Sequence, residues 1–260
     1  IGRGDEVIVP DFTYIATAMA VSYTQAVPVF CDIKEDTFEI DPEDIERKIT
    51  PRTKAIIPVH LYGHPVAMEN ILKIAKKYKL KVIEDCAQAH GARIDRKRVG
   101  SFGNCGCFSF YPTKNLGCYG DGGMIVTNSG KLYRKMLKLR DYGRESKYKH
   151  VLIGYNSRLD TLQAAILRVK LGYLDIWNRK RKELAYYYNE YLKNTDIILP
   201  NEKKMYQHVY HIYVVRIKQK RDVFYKQLAE KNIPVLIHYP CLLYTSDAAD
   251  ELDGVDLGGR

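Results

Sequence analysis

Lys114 stands inside "FSFYPTKNLGCYGDGG" (108–123), with no charged residue near it until Asp121. An isolated ammonium is costly there unless it is paired or its amine is used for chemistry. Lysines that form Schiff bases occupy such places. Asp85 closes the apolar run "KVIED" 29 residues earlier, just before "CAQAHGA". A carboxylate at the C-terminal end of a buried parallel strand faces the usual ligand crevice of such a sheet. Its competing role is an N-cap for a helix over 86–92. An amine that forms a Schiff base and an acid that protonates a pyridine nitrogen are the pair that pyridoxal 5'-phosphate requires. Ser109 and the turn "GCYGDGG" offer a hydroxyl and backbone N–H groups, for a phosphate or simply for a turn.

These residues need a scaffold that brings strand ends together. Strand-like runs fall at 5–10, 28–33, 55–63, 80–85, 105–112 and 122–128. Several are nearly continuously apolar, as strands buried on both faces are. Helical patterns lie between most of them: "DPEDIERKI" (41–49) with an Asp cap and Pro at its first position, "AMENILKIAKKYK" (67–79) and "GKLYRKMLKLRDYG" (130–143). Alternating β and α predicts an α/β domain with a mostly parallel sheet. A long helical stretch follows at 159–192, then an alternating run at 208–217, a helix at 221–232 and a strand at 233–240. We divide the chain into a large domain over 1–175, part of a small α+β domain over 176–240, and a tail over 241–260.

The net charge is +10, and because 241–260 holds five acids and one base, the first 240 residues carry +14. Such a surface suits an anionic partner: nucleic acid, a membrane surface or a phosphorylated metabolite. The basic run "NRKRK" (178–182) lies on the long helix, where it is expected to form a solvated face. No apolar run approaches the roughly 18 residues that span a bilayer. The six cysteines form no C-x-x-C pair, and "CGC" (105–107) lacks further ligands with metal spacing, so reduced thiols and a cytoplasmic setting are expected. The tail "CLLYTSDAADELDGVDLGGR" has no lysine and no clear period, and it resembles a translated sequencing adapter; we read it as non-native. The chain begins with Ile directly before a strand-like run, which reads as a truncated start.

The blocks "GDEVIVPDFTYIATAMAV", "TPRTKAIIPVHLYG", "VIEDCAQAHGA", "CFSFYPTKNLGCYGDGG" and "GYNSRLDTLQAAIL" resemble, in order and spacing, the DegT/DnrJ/EryC1/StrS family over about residues 1–240. The resemblance implies the type I fold of pyridoxal-phosphate enzymes and transfer of an amino group to a keto-sugar nucleotide. It matches Lys114 to the lysine that holds the cofactor and Asp85 to the acid at its pyridine nitrogen. Gln88 matches the residue near the 3′-oxygen, Ser109 a phosphate ligand, and Tyr14 the aromatic that stacks on the ring. Asn156 matches a phosphate ligand supplied by the neighbouring subunit, and Arg158 a position that meets the sugar nucleotide. Core packing for Tyr14 and a surface ion pair for Arg158 are the competing readings. The family's N-terminal phosphate turn and most of its C-terminal domain are not seen in this sequence.

The expected enzyme is thus a homodimer with shared active sites, taking nitrogen from an amino-acid donor, glutamate by resemblance, and placing it on a hexose, at C3 by the block "GYNSRLDTLQAAIL". No metal, nucleic acid or membrane is expected to take part. The alternatives are a sugar dehydratase of the same fold, in which a histidine replaces the lysine, and a catalytically silent regulator. The residue at 114 and the intact Lys114, Asp85 and Gln88 set speak against them.

Overall fold

In the computed structural model, which describes residues 1–243, the apolar runs form β1 (Glu6–Pro10), β2 (Val27–Cys31), β3 (Thr53–Ile56), β4 (Lys81–Asp85), β7 (Cys105–Ser109) and β8 (Gly123–Val126). They make one six-stranded sheet in the order β2-β1-β3-β4-β7-β8. Every neighbouring pair is parallel except β7 with β8. The short β5 (Arg93–Ile94), β6 (Lys97–Arg98) and β11 (Tyr206–Gln207) form a second sheet, and β9 (Arg144–Ser146) with β10 (Lys149–His150) an exposed hairpin.

Alternation along β1 splits the core in two. Ile8 joins Ile45, Ile56, Met68, Ile71 and Val82 on the face covered by α2 (Pro42–Lys48) and α3 (Met68–Tyr78). Val7 and Val9 join Ala18, Val21, Ala55 and Ile57 on the face covered by α1 (Ala16–Ser22). Helix α2 starts as its sequence dictates: Asp41 accepts from the Glu43 amide at 3.2 Å, and Pro42 occupies a first-turn position whose missing N–H costs nothing. The remaining helices are α4 (Gly130–Leu139), α5 (Thr161–Leu171), α6 (Leu174–Leu192) and α7 (Arg221–Glu230).

Four expectations are corrected. The regular strand β3 ends at Ile56, although Val59 still bridges Asp85 of β4, and the run then turns through a 3-10 segment at Leu61–Gly63. The stretch 159–192 is two helices, broken at Gly172 and Tyr173. The alternating run 208–217 is not a strand: the amides of Val209 and His211 donate to the carbonyls of Gly63 and Tyr62, at 3.1 and 2.9 Å. The run 233–240 pairs with no strand among the described residues. Of the segment read as a non-native tail, 244–260 lies outside the described residues; Leu243 packs beside the α1 face of the core.

Candidate active site

Strands β4 and β7 are parallel neighbours, with Asp85 opposite Cys107 at their C-terminal ends. Asp85 ends β4, and the loop that carries Lys114 leaves the end of β7. That loop is drawn tight: a Cβ on Gly117 would lie 2.5 Å from the Pro112 carbonyl oxygen, so only glycine fits. The Lys114 amide donates to Tyr111 at 2.9 Å, and Cys118 closes the loop through its amide onto Phe110 at 2.8 Å. The next residue, Asn115, is buried and clamped. Its Nδ2 donates to Asn178 Oδ1 on α6 at 2.9 Å and to the Val209 carbonyl at 3.0 Å, while its Oδ1 lies 3.2 Å from His211 Nδ1.

The Lys114 side chain is half-buried, and among the described residues its ammonium makes no ion pair or hydrogen bond. Burial lowers its pKa, and the nearby Asp85 carboxylate works against that shift. A buried histidine and a half-buried one beside it are held neutral. His90 is lowered to about 4, chiefly by burial, with the Ser109 backbone opposing and Lys114 adding to the shift. His211 is lowered to about 3 by burial, then by Lys114 and Arg181. An amine in this setting gives up its proton more readily than a surface lysine does.

Asp85 does not cap a helix; residues 86–92 are turns. Its Oδ1 accepts from the Ala87 amide at 3.0 Å and its Oδ2 from the Thr17 hydroxyl on α1 at 2.8 Å. Both hydrogen bonds fix the direction of the carboxylate. Gln88 is buried with its Oε1 on the Tyr62 amide at 2.6 Å, leaving Nε2 toward Tyr239, whose hydroxyl is 3.5 Å away. Burial raises the Tyr239 pKa, the Gln88 hydrogen bond opposes that, and the Asp85 and Tyr14 groups add to it, so these side chains lie near one another. Tyr14 precedes α1 with its ring 61% exposed, hence not a core aromatic. Ser109 Oγ accepts from the Tyr111 amide at 3.2 Å.

Beneath this cleft Glu84 is fully buried. It accepts from the amides of Gly100, Phe102 and Gly103, each at 2.7 Å. His60 Nδ1 accepts from the Val66 amide, so its Nε2 carries the proton and donates to Glu84 at 3.1 Å. Burial works to raise the Glu84 pKa, but His60 and the Gly103 and Gly100 amides outweigh it, and the net shift is downward. His60, Glu84 and Cys86 lie close enough together to hold a metal, yet the donor atoms of the first two are taken up by this network. All six cysteines are free thiols.

The model of the DegT/DnrJ/EryC1/StrS aminotransferase family matches residues 1–256. The chain belongs to that family. A dTDP-3-amino-3,6-dideoxy-alpha-D-galactopyranose transaminase of Aneurinibacillus thermoaerophilus is 56% identical over 92% of this chain and 66% of its own length. A UDP-N-acetyl-3-dehydro-alpha-D-glucosamine 3-aminotransferase of Acidithiobacillus ferrooxidans is 50% identical over 92% of this chain and 65% of its own. The chain therefore spans just under two thirds of the length of these two relatives. The crystal structure of Streptomyces venezuelae DesV in complex with a ketimine intermediate is 46% identical, with a TM-score of 0.93, over 97% of this chain and 68% of that one. NtdA of Bacillus subtilis, solved with bound cofactor PMP, is 36% identical with a TM-score of 0.88, over 99% and 60%. The expected fold, a type I aminotransferase fold with a mostly parallel sheet flanked by helices, is the one observed.

Within this family member the expected site residues divide into two groups. Lys114 lies near Asp85, and Asp85, Tyr14 and Gln88 lie near Tyr239, with Ser109 at the end of β7. Asn156 and Arg158 do not join them. Both are exposed, Arg158 bonding Asp141 at 2.8 Å and Asn156 Oδ1 at 3.1 Å, with its guanidinium over the Tyr142 ring. Sequence reasoning missed Thr17, His90, Asn115 and Tyr239. Thr17 lies one helical turn past Tyr14, and Asn115 is adjacent to Lys114, so position alone could have drawn attention to both. The basic run 178–182 is also more than a solvated face: Asn178 holds Asn115, and Arg181 donates to the carbonyls of Tyr210 and His211. Among the described residues no helix is long and apolar enough to cross a membrane.

Proposed function

We propose that the cleft binds pyridoxal 5'-phosphate and that the protein of which this chain forms part is an aminotransferase acting on a keto-sugar nucleotide. The observation that carries this is the half-buried Lys114 amine facing Asp85 across the ends of adjacent parallel strands, with no other charged partner among the described residues. The donor set fits the cofactor: a free amine for its aldehyde, a doubly hydrogen-bonded carboxylate for its ring nitrogen, a fixed amide for its 3′-oxygen, and an open aromatic ring. When bound, this cofactor supplies an electron sink next to the carbon that carries nitrogen. Asp85 keeps a proton at the ring nitrogen. Lys114 Nζ, with its lowered proton affinity, takes and returns the proton at the reacting carbon. Ser109 and the amides of the 118–123 turn offer donors for the phosphate.

Two relatives that act on a 3-amino or 3-dehydro sugar nucleotide, at 56% and 50% identity, support a hexose substrate aminated at C3. We infer glutamate as the donor, and polysaccharide biosynthesis in the cytoplasm, in keeping with six free thiols. We further infer a homodimer in which Asn156 and Arg158, lying outside their own chain's cleft, complete the partner's site. With pyridoxal phosphate added, the protein is expected to show a visible absorbance that borohydride discharges. Lys114→Ala and Lys114→Arg should both lose it, because a guanidinium keeps the charge but cannot bond the aldehyde. Retention of that absorbance in either variant would sink the assignment.

A further inference from the structure

Tyr62 stands where three segments meet. It sits in the Leu61–Gly63 turn with a left-handed backbone, φ 58°, and is 4% exposed. A bulky residue adopts that conformation at a cost, and it persists only where the surroundings over-determine it. Here they do. The Tyr62 amide donates to Gln88 Oε1 at 2.6 Å. Its carbonyl accepts from the His211 amide at 2.9 Å, and its phenol donates to the His238 carbonyl at 2.6 Å. Its ring meets Phe38 edge-on at 5.6 Å, and Phe38 stacks on Phe12, which in turn packs against Tyr239. Gly63 allows the close approach, since a Cβ there would meet Val209 at 2.7 Å and the Gln88 carbonyl at 3.0 Å.

The consequence for Gln88 is chemical. An amide side chain has one acceptor end and one donor end, and a backbone N–H can be satisfied only by the oxygen. The Tyr62 amide therefore settles which end of Gln88 faces the cleft: the NH2 end, toward Tyr239. The phenol acts on the other wall. By holding the His238 carbonyl it places the following residue, Tyr239, over Gln88 and near Asp85 and Tyr14.

We propose that Tyr62 is a positioning residue that sets both walls of the cleft: its backbone N–H orients the Gln88 amide, and its phenol ties down the 238–239 segment so that Tyr239 covers the cofactor position. This rests on the pyridoxal phosphate reading above. Phenol and amide are separable, because Tyr62→Phe removes only the hydroxyl.

The test follows amide hydrogen exchange over 236–240, read without cofactor, and the dissociation constant for pyridoxal phosphate alone, read from its visible absorbance. For Tyr62→Phe, losing one net hydrogen bond should speed exchange about 3- to 10-fold and weaken cofactor binding by a similar factor. For Gln88→Leu, cofactor binding should weaken about 10-fold while exchange over 236–240 changes less than in Tyr62→Phe, because the tie to His238 is kept and the segment loses only the long 3.5 Å contact to Tyr239. Unchanged exchange in Tyr62→Phe overturns the proposal. So does faster exchange with unchanged cofactor affinity, which would leave the phenol a tie without bearing on the site. If both variants move both readings together, the effect is general loosening and the proposal fails. A wild-type protein that takes up no pyridoxal phosphate refutes the cofactor reading instead, and the exchange measurement still reports on the tie.

Discussion

The Thr17 hydroxyl is the sharpest handle on how α1 serves the cleft. It donates to Asp85 Oδ2 at 2.8 Å and is 4% exposed, so no water can replace it when it is removed. Thr17→Val keeps the branched shape and deletes the donor, leaving Asp85 with the Ala87 amide alone. Thr17 and the Ala87 amide together fix the direction of the Asp85 carboxylate, and a hydrogen bond to a charged group contributes about 1.5–3 kcal/mol. Part of that orientation is lost in Thr17→Val, so the dissociation constant for pyridoxal phosphate, whose ring nitrogen Asp85 must meet, should rise by roughly tenfold. The contact between the Thr13 and Thr17 hydroxyls at 3.2 Å is lost as well, but it links neutral groups away from the cofactor and should appear as about 0.5–1.5 kcal/mol of folding stability. The assay is a titration of pyridoxal phosphate followed by visible absorbance, with urea denaturation run in parallel. Thr17→Ser, which restores the hydroxyl, is the control and should bind within about threefold of wild type. Binding by Thr17→Val within twofold of wild type would show that Asp85 does not depend on α1. Equal losses in the Ser and Val variants would assign the effect to packing.

Two further outcomes follow from the same geometry. Asp11 is buried, and its pKa is raised to about 6, by burial first and then by Asp32, from an ordinary 3.8. The folded state therefore holds that proton more tightly than the unfolded one, and the stability this contributes is lost as pH rises through about 6. Asp11→Asn should accordingly gain on wild type between pH 4 and pH 7, by at most about 3 kcal/mol; denaturation midpoints at the two pH values that move in parallel would contradict it. If Asn156 and Arg158 serve the partner's site, mixing Lys114→Ala subunits with Asn156→Ala, Arg158→Ala subunits should restore roughly a quarter of wild-type activity, since half the dimers are mixed and each has one intact site. A mixture as inactive as its parents would place both residues in their own chain's site.

Consecutive residues record what short-range physics controls. Continuous apolar runs announced the strands of a parallel sheet, and "DPED" announced the start of α2, because burial and capping are written in consecutive residues. Lys114 and Asp85 were legible for the same reason: each is a charge placed where an apolar run ends, and parallel pairing of β4 with β7 carries both to one edge. Alternation over 208–217 misled, because it records which side chains are buried and not where the backbone amides go. Those amides found the carbonyls of Tyr62 and Gly63 instead of a strand. The rest of the site was set by contacts between segments far apart in the chain. Thr17 meets Asp85 across 68 residues, Asn115 meets Val209 across 94, and the Tyr62 phenol meets His238 across 176. Threonine, asparagine and tyrosine are common residues whose hydrogen-bonding groups are satisfied equally well by water in the unfolded chain. Nothing local marks the ones that matter until folding removes the water and leaves a single partner within reach.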